Sequence, residues 1–384
     1  MKNPWPIKKL GEVTEIYSGG TPRRANPDYW GNDVPWLTME DVNKGLEVVG
    51  TAQYISNNGL KNSNAQLIPA GSVNLSCTAS VGNVTISRIP LATNQQFNSF
   101  HPKEGTNLIS EYLAYRLMFD KAKIKALGGS TTFQFISKNA ISNFEIPIPP
   151  ESVQKQIVER MDKIAEAQKL NDELLQKSDE LFQSLLHQEL DAASRDWELK
   201  KLGEICEKII QAHPSKFFKR SFHYIDISSI NSKSKTVEAF STCSIDQAPS
   251  RARKLVQKND ILFATTRPYL ENIAIVPDTC EDFVASTGFC VIRANTEYTT
   301  HDFLFFNVIS RPFIRKILPF QRGANYPAVS DKNVYGIKIP LPPLETQKQI
   351  VEKLSAAQEY KKQLLEQKLK LKELFDSVLH KSIE

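Results

Sequence analysis

The sequence predicts an α+β fold in which two mixed globular blocks alternate with two long helices. Three observations predict it: an internal repeat, a matched pair of amphipathic segments, and a charge distribution that changes at the same borders. The 384 residues, at about 150 per domain, suggest two to three domains. With 41% hydrophobic and 24% charged residues the composition is globular and excludes a disordered chain.

Self-similarity governs everything else, because a missed repeat mis-assigns the architecture. Trp5-Pro-Ile-Lys-Lys-Leu-Gly-Glu-Val13 returns as Trp197-Glu-Leu-Lys-Lys-Leu-Gly-Glu-Ile205, at an offset of 192. Ile146-Pro-Ile-Pro-Pro150 and the following Gln154-Lys-Gln-Ile-Val-Glu159 return as Ile339-Pro-Leu-Pro-Pro343 and Gln347-Lys-Gln-Ile-Val-Glu352, at an offset of 193. The same offset relates Glu180-Leu-Phe182 to Glu373-Leu-Phe375 and Ser184-x-Leu186-His187 to Ser377-x-Leu379-His380. Between these anchors the halves diverge. The expected order is therefore a variable block (1–150), a constant helix (151–196), a second variable block (197–343) and a second constant helix (344–384).

Net charge follows these borders: +3 for 1–150, −5 for 151–196, +6 for 197–343 and +1 for 344–384. Two basic blocks are compatible with a polyanionic partner without requiring one.

The constant segments carry helical periodicity. A stripe from Val153 through Ile157, Arg160, Ile164, Ala167, Asn171, Leu174, Ser178, Leu181 and Leu185 is mostly apolar. So is its counterpart from Thr346 through Ile350, Lys353, Ala357, Tyr360, Leu364, Gln367, Leu371, Leu374 and Val378. Pro149-Pro150 and Pro342-Pro343 set sharp helix starts. At 1.5 Å per residue, ~40 residues span roughly 60 Å. One such stripe suits an ordinary core helix; two matched copies of this length point to helices that pair with each other. Their polar breaks are complementary, since Asn171 and Ser178 correspond to Leu364 and Leu371, and Leu174 to Gln367.

The variable blocks read as mixed α and β. Strands are expected at Val34–Thr38, Ser72–Ser76, Tyr224–Ile230, Asp260–Thr265 and Ile273–Val276, and shorter helices at Ser110–Lys125 and His301–Ile317. Loops at Tyr17–Pro27, Cys77–Asn83 and Gly128–Gln134 carry turn residues with Thr, Ser, Asn and Arg.

Familiar catalytic patterns are missing from the sequence. There is no P-loop, no G-x-G-x-x-G after a strand and no G-x-S-x-G elbow. The five cysteines (Cys77, Cys206, Cys243, Cys280, Cys290) include no C-x-x-C pair, and the six histidines show no metal-ligand spacing. Met1–Leu10 has no apolar stretch for a signal peptide, and no run of ~18 apolar residues occurs. A soluble protein of a reducing, cytoplasmic compartment is expected, with no catalytic activity of its own.

The duplicated W-x-[IL]-K-K-L-G-E and I-P-[IL]-P-P/Q-K-Q-I-V-E motifs, with Gly19-Gly20-Thr21-Pro22 and Ile68-Pro-Ala-Gly-Ser-Val73 leading to Ser80-Val81-Gly82, cover essentially the whole chain. In this layout the sequence resembles the specificity subunit of type I restriction-modification enzymes. The resemblance implies two target recognition domains in pseudo-twofold arrangement, separated by two long antiparallel coiled-coil helices. Each domain would read one half of a bipartite, asymmetric double-stranded DNA site. It also implies two adenine-methyltransferase subunits as partners, with S-adenosylmethionine bound by them and no cofactor on this chain, and restriction-translocase subunits in systems that cut. The second block departs from the pattern where Gln211-Ala-His-Pro214 replaces Gly-Gly-Thr-Pro.

Base-edge contacts need Arg, Lys, Asn, Gln, Ser or Thr on loops that reach the major groove. The candidates in the first block are Arg23, Arg24, Thr78, Ser80, Gln95 and Gln96. In the second they are Lys219, Arg220, Arg267, Tyr269, Arg322, Asn325 and Tyr326. The competing reading is a protein-binding scaffold with two heads on a helical rod. Basic heads beside an acidic first helix count against it, and a hydrolase with a spatially assembled site ranks third.

Overall fold

The structure is a computed structural model of the chain that describes residues 5–42, 45–78, 80–128, 135–191, 196–277 and 281–383. Most of the expected loop at 128–134, Ala79 within the 77–83 loop, and Cys280 lie outside the described residues. Two long helices occur where the repeat places them, Glu151–Leu190 and Leu344–Ile383. The chain divides into two compact units, Met1–Asp172 with Glu366–Glu384, and Glu173–Leu365. Each unit holds one β-rich head and half of each long helix.

Each head is closed at its base by its own ends. In the first, β1 (Ile7–Lys9) pairs antiparallel with β10 (Glu145–Pro147), Lys8 opposite Ile146. In the second, β11 (Glu198–Lys201) pairs the same way with β21 (Lys338–Leu341), Lys200 opposite Ile339. The repeated Lys-Lys-Leu-Gly-Glu and Ile-Pro motifs are thus the two halves of one ladder.

Between them the first head builds a sheet in the order β2 (Thr14–Ser18), β9 (Phe97–Pro102), β6 (Val73–Ser76), β7 (Val84–Ser87), β4 (Glu47–Val48). A smaller sheet orders β5 (Gln53–Ile55), β3 (Trp30–Leu37), β8 (Ala92–Thr93). The second head has β15 (Ser241–Ser244), β12 (Ser221–Ile225), β19 (Phe283–Ser286), β16 (Ala252–Leu255) in one sheet. Its other sheet is β13 (Ile230–Asn231), β14 (Thr236–Val237), β18 (Ile273–Ile275), β17 (Ile261–Ala264), β20 (Phe289–Ile292). The strands β6 and β17 are buried along their whole length; the continuous apolar run of β17 requires this, whereas β6 buries the polar Asn74 and Ser76 with Val73 and Leu75. Among the described residues no helix is long and apolar enough to cross a membrane.

Both cores reach onto the long helices. In the first unit Leu75, Ile86 and Phe100 pack with Tyr112, Leu113 and Leu117, and with Ile157, Met161, Leu379 and Ile383 from the two helices. In the second, Phe263 and Ile292 pack with Phe303 and Phe306, and with Leu186, Leu190, Ile350 and Leu354.

The first glutamine of each Gln-Lys-Gln-Ile-Val-Glu is a buried clamp. Gln154 Nε2 donates to the carbonyls of Asn107 (2.9 Å) and Pro149 (2.8 Å), and its Oε1 accepts from Ile109 N–H (2.9 Å). Gln347 Nε2 donates to the carbonyls of Tyr298 and Pro342 (2.9 Å each), and its Oε1 accepts from the Thr299 hydroxyl (3.0 Å) and Thr300 N–H (3.3 Å). Each glutamine satisfies backbone groups of the loop before the head's helices and of the double-proline entry to its own helix.

Inside each unit the helices run antiparallel. Gln168 donates to the Leu371 carbonyl (3.2 Å) and Asp172 pairs with Lys368 (2.8 Å) in the first. Asp179 pairs with Lys361 (2.5 Å) and Glu189 with Lys353 (2.9 Å) in the second. The expected seam is half right. Ile157, Ile164, Asn171, Ser178 and Leu185 are on it, but the alternate row is Gln154, Met161, Gln168, Leu175, Phe182 and Glu189, shifted by one residue, and Arg160 and Leu181 face solvent. The shift has a cause: Gln154 is buried and Gln168 half-buried with hydrogen bonds that an apolar count cannot register.

Two other differences are local. The strand expected through Ile230 stops at Ile225, because the Asp226 carboxylate accepts from Ser229 N–H (3.2 Å) and folds Ile227–Ser229 into a short 3₁₀ turn. The two shorter helices are each broken. Ser110–Phe119 is separated from Lys121–Ala126 at Asp120, whose carboxylate is held by Arg116 at 2.5 Å. His301–Val308 ends before Ser310, which caps Arg311–Ile317 with Pro312 in its first turn.

Two substitutions of similar size should have opposite signs. Gln154→Leu removes the side-chain partner of three backbone groups, the Pro149 carbonyl among them buried, and should lower stability by about 1–3 kcal/mol. Asn171 is buried in the seam with both amide atoms unpartnered among the described residues, so Asn171→Leu should raise stability by about 1–2 kcal/mol. Urea midpoints at constant slope measure both; a stabilised Gln154→Leu would show that the clamp is dispensable.

Candidate nucleic-acid interface

In the first head three loops meet at the turn between β8 and β9. Gly20 N–H donates to the Thr93 carbonyl (2.9 Å) and Gly19 N–H to that of Phe97 (3.1 Å). A Cβ at Gly19 would lie 1.7 Å from the Asn94 oxygen and one at Gly20 2.3 Å from the Asn64 carbonyl carbon, so this approach requires glycine. The Thr21 hydroxyl bonds the Gln95 side-chain oxygen, and Trp36 Nε1 donates to the Gly20 carbonyl (3.1 Å). On the turn's other side Cys77 N–H donates to the Gln96 carbonyl (2.7 Å), while the Cys77 carbonyl accepts from Ile136 N–H (3.0 Å). Ser76 Oγ donates to the Ser80 carbonyl (2.5 Å) and accepts from Asn83 N–H (3.0 Å), which shapes the loop beyond. All six sequence candidates of this head therefore lie on this turn or on the two loops tied to it, that of Gly19-Gly20 and that of Cys77. Arg23, Arg24, Ser80 and Gln95 are exposed, and Thr78 and Gln96 half-buried.

The second head repeats this junction with other residues. Thr265 N–H donates to the Gly288 carbonyl (2.8 Å), and the Thr265 carbonyl accepts from Val329 N–H (2.9 Å). Thr265 thus occupies the place of Cys77, Gly288 that of Gln96, and Val329 that of Ile136. Arg322 and Ala328 pair through both backbone bonds (2.9 Å each), and Ala328 also bridges Thr266, so the hairpin carrying Asn325 and Tyr326 lies beside the Arg267 loop. Arg267 N–H donates to the Pro327 carbonyl (2.7 Å), and its guanidinium sits 4.8 Å from the Tyr326 ring centroid. Its backbone is left-handed, with φ +49°, a conformation that costs a non-glycine residue on the order of 1 kcal/mol. Tyr326 is 70% exposed and Tyr269 is also exposed.

Lys219 and Arg220 are not brought to this junction. They precede β12, which runs parallel to β19 with His223 opposite Phe283, at the end of β19 away from the Thr287-Gly288 turn. The Gln211-Ala-His-Pro214 segment also lies elsewhere: Ala212 N–H donates to the Arg253 carbonyl on β16 (2.9 Å). It does not cross the turn as Gly19-Gly20 does, so it needs no glycine.

Several supporting residues escaped the sequence reading. Arg24 lies over Trp30 and Trp36, with Gln53 accepting from its Nη2 (3.2 Å). The two tryptophans in one strand, close after an Arg-Arg pair, were the only available signal. Lysines anchor the far end of each loop that leaves the hub. Lys121 Nζ donates to Asn83 Oδ1 (2.9 Å), and Lys235 Nζ to the Glu271 carbonyl (2.8 Å). Burial holds both ammonium groups below the usual lysine range. Among the described residues no group of three His, Cys, Asp or Glu could hold a metal ion.

Two β-rich heads with equivalent three-loop junctions, each built onto paired long helices, define a duplicated recognition module. The chain belongs to the type I restriction modification DNA specificity domain family, whose model matches residues 2–177 and again 194–373. It is 30% identical over 225 residues to the type I restriction enzyme MjaIX specificity subunit of Methanocaldococcus jannaschii, covering 53% of this chain and 52% of that protein. It is 30% identical over 192 residues to the HindI specificity subunit of Haemophilus influenzae, covering 48% and 42% respectively. The chain thus matches about half the length of these curated relatives or less. The crystal structure of a type I restriction-modification S subunit from M. genitalium shares the fold, with a TM-score of 0.59 over 100% of this chain and 98% of that one at 14% identity.

Burial also fixes thiol chemistry. Burial pushes the Cys77 thiol up, raises Cys290 well above its ordinary value, and lifts Cys206 to about 12. A raised thiol pKa keeps the neutral form at pH 8, and only the thiolate reacts. Iodoacetamide at pH 8 should therefore leave these three unmodified in the native protein and label them in urea, as read by peptide mass mapping. Rapid native labelling of Cys77 would mean that the hub opens.

Proposed function

We propose that the chain is the non-catalytic sequence reader of a type I restriction-modification assembly. In this reading residues 1–150 and 197–343 are two target recognition domains, and the helices 151–196 and 344–384 seat the partner subunits. The observation that carries it is the duplicated junction, which gathers Arg, Gln, Thr and Ser side chains at one place in the first head and Arg, Asn and Tyr at the equivalent place in the second. Two different sets of polar tips on one repeated scaffold suit a split, asymmetric DNA site.

The partners in this reading are double-stranded DNA, two methyltransferase subunits that bind S-adenosylmethionine, and restriction-translocase subunits where the system cuts. The assembly works in the cytoplasm, where the DNA is. Arg23, Thr78, Ser80, Gln95 and Gln96 are assigned to the first half-site beside Arg24, and Arg267, Tyr269, Arg322, Asn325 and Tyr326 to the second. Lys219 and Arg220, away from the junction, suit phosphate contacts, which position without reading. A protein-only scaffold predicts none of the salt dependence that phosphate neutralisation imposes.

The test is exchange. Replacing residues 1–150 by the equivalent block of a relative should change the letters of one half-site of methylation and leave the other intact. Coupled change of both would overturn the modular reading, and methyl transfer by this chain alone would overturn its non-catalytic role. Within the second head, Arg322→Ala should weaken binding by about 1–3 kcal/mol through that half-site alone if Arg322 contacts a base. A uniform loss with a flatter salt dependence would instead mark a phosphate contact. Titration of duplexes mutated in either half-site distinguishes these outcomes.

A further inference from the structure

We infer that Arg24 reads a guanine in the first half-site, and that Trp30, Trp36 and Gln53 are positioning residues that fix its guanidinium for that contact. This rests on the DNA-reading role proposed above and assigns one residue a specific base.

Three constraints hold an exposed side chain in place. The Arg24 guanidinium carbon lies 4.3 Å from the Trp30 ring centroid and 5.3 Å from that of Trp36. The two indoles meet edge to face, 5.1 Å apart at 84°, so they offer walls in two directions. Gln53 Oε1 accepts from Arg24 Nη2 at 3.2 Å, which fixes rotation of the fork. Behind this, the Gly19-Gly20 turn locks the loop, and Trp36 Nε1 bonds the Gly20 carbonyl. The aromatic wall and the loop it supports are therefore one rigid piece.

The charge of Arg24 is uncommitted. Arg88 is taken up by Glu47 and Glu111, Arg116 by Asp120 and Arg293 by Asp260. Arg24 has no carboxylate partner among the described residues. This arginine is exposed, sits over two indoles with its Nη2 on Gln53, and has spare donors.

A phosphate asks for charge and tolerates many orientations, so an unrestrained lysine serves it well. Guanine presents O6 and N7 as two in-plane acceptors on its major-groove edge, and a guanidinium fork matches both at once. A plane fixed in advance favours the second use. Its neighbour Arg23 is exposed too, without such walls, and suits the backbone.

The experiment uses the chain assembled with its methyltransferase partner and selects bound duplexes from a library randomised in both half-sites. The variants are Arg24→Lys, Gln53→Leu, Trp30→Leu and Trp30→Tyr, with thermal melting as the control for folding. The wild type should enrich a guanine in the first half-site. Arg24→Lys, which keeps the charge and loses the fork, should reduce preference for that guanine about tenfold to a hundredfold. Trp30→Leu and Gln53→Leu should weaken the same letter while Arg24 is still present, Trp30→Tyr should restore it, and the second half-site should stay unchanged throughout. A purely structural role for Trp30 would lower melting without relaxing one letter. An unchanged first half-site in Arg24→Lys overturns the inference, as does a uniform affinity loss with every letter kept. If the wild type enriches no half-site at all, the DNA-reading role fails and this assignment with it.

Discussion

A single buried residue in each head orders three loops at once, through its own backbone N–H and C=O. The N–H and C=O of Cys77 bind the turn before β9 and the return to Ile136; those of Thr265 bind Gly288 and Val329. Cys77 is fully buried and Thr265 nearly so, where an unsatisfied backbone group costs about 1–3 kcal/mol. Each bond is therefore obligatory, and neither loop can move away without exposing that cost. Loops that meet a duplex must be held closely to be selective, and loops held separately would each lose conformational entropy on binding. The shared residue removes that loss during folding.

The base of each head is governed by a second repeated device. The first and last strands pair, and the clamp glutamine, Gln154 or Gln347, ties the strand exit, the loop before the short helices and the helix entry together. A head enters and leaves at one place, so changes inside it do not have to propagate into the helix. This explains why the sequence is constant at these points and free to vary between them. A hydrophobic residue could fill the space but could not satisfy donors and acceptors from two segments.

The repeated elements were legible because their roles depend on side-chain type: the double prolines end one element and start another, and the glutamines recur at one offset, while the continuous apolar run of β17 announces a buried strand. The seam was read one residue off in its alternate row because burial there is won by the hydrogen bonds of Gln154 and Gln168. The helix breaks at Asp120 and Ser310 depend on a carboxylate pairing with Arg116 and on a cap, both compatible with helix on pattern alone. The candidates on the Gly-Gly, Cys77 and Arg267 loops could be named from sequence because turn chemistry marks those loops. Trp30, Trp36 and Gln53 were missed because strand residues read as core until the neighbour they support is seen.

The junction is repeated in space where the sequence repeat has vanished, and the reason lies in the atoms used. Cys77 and Thr265 differ in side-chain chemistry, as do Gln96 and Gly288, and only Ile136 and Val329 are alike; what all six contribute is a backbone N–H or C=O. Every residue except proline supplies both groups, so substitution at the hub is limited by volume and burial and leaves the bonds intact. Side chains add to the hub, the Thr265 hydroxyl on the Gly288 carbonyl (2.9 Å) and Asn98 Nδ2 on Cys77 Sγ (3.1 Å). At the margins the heads differ: Gly19-Gly20 is needed where one loop crosses the turn closely, while Gln211-Ala-His-Pro214 rests on β16 and is freed from that demand. The lysines that anchor the loop ends come from unrelated places in sequence, Lys121 in one head and Lys235 in the other. A recognition surface has to change its tips without losing their placement. Building the placement from main-chain hydrogen bonds, and leaving the side chains to the tips, separates the two requirements at the level of single atoms.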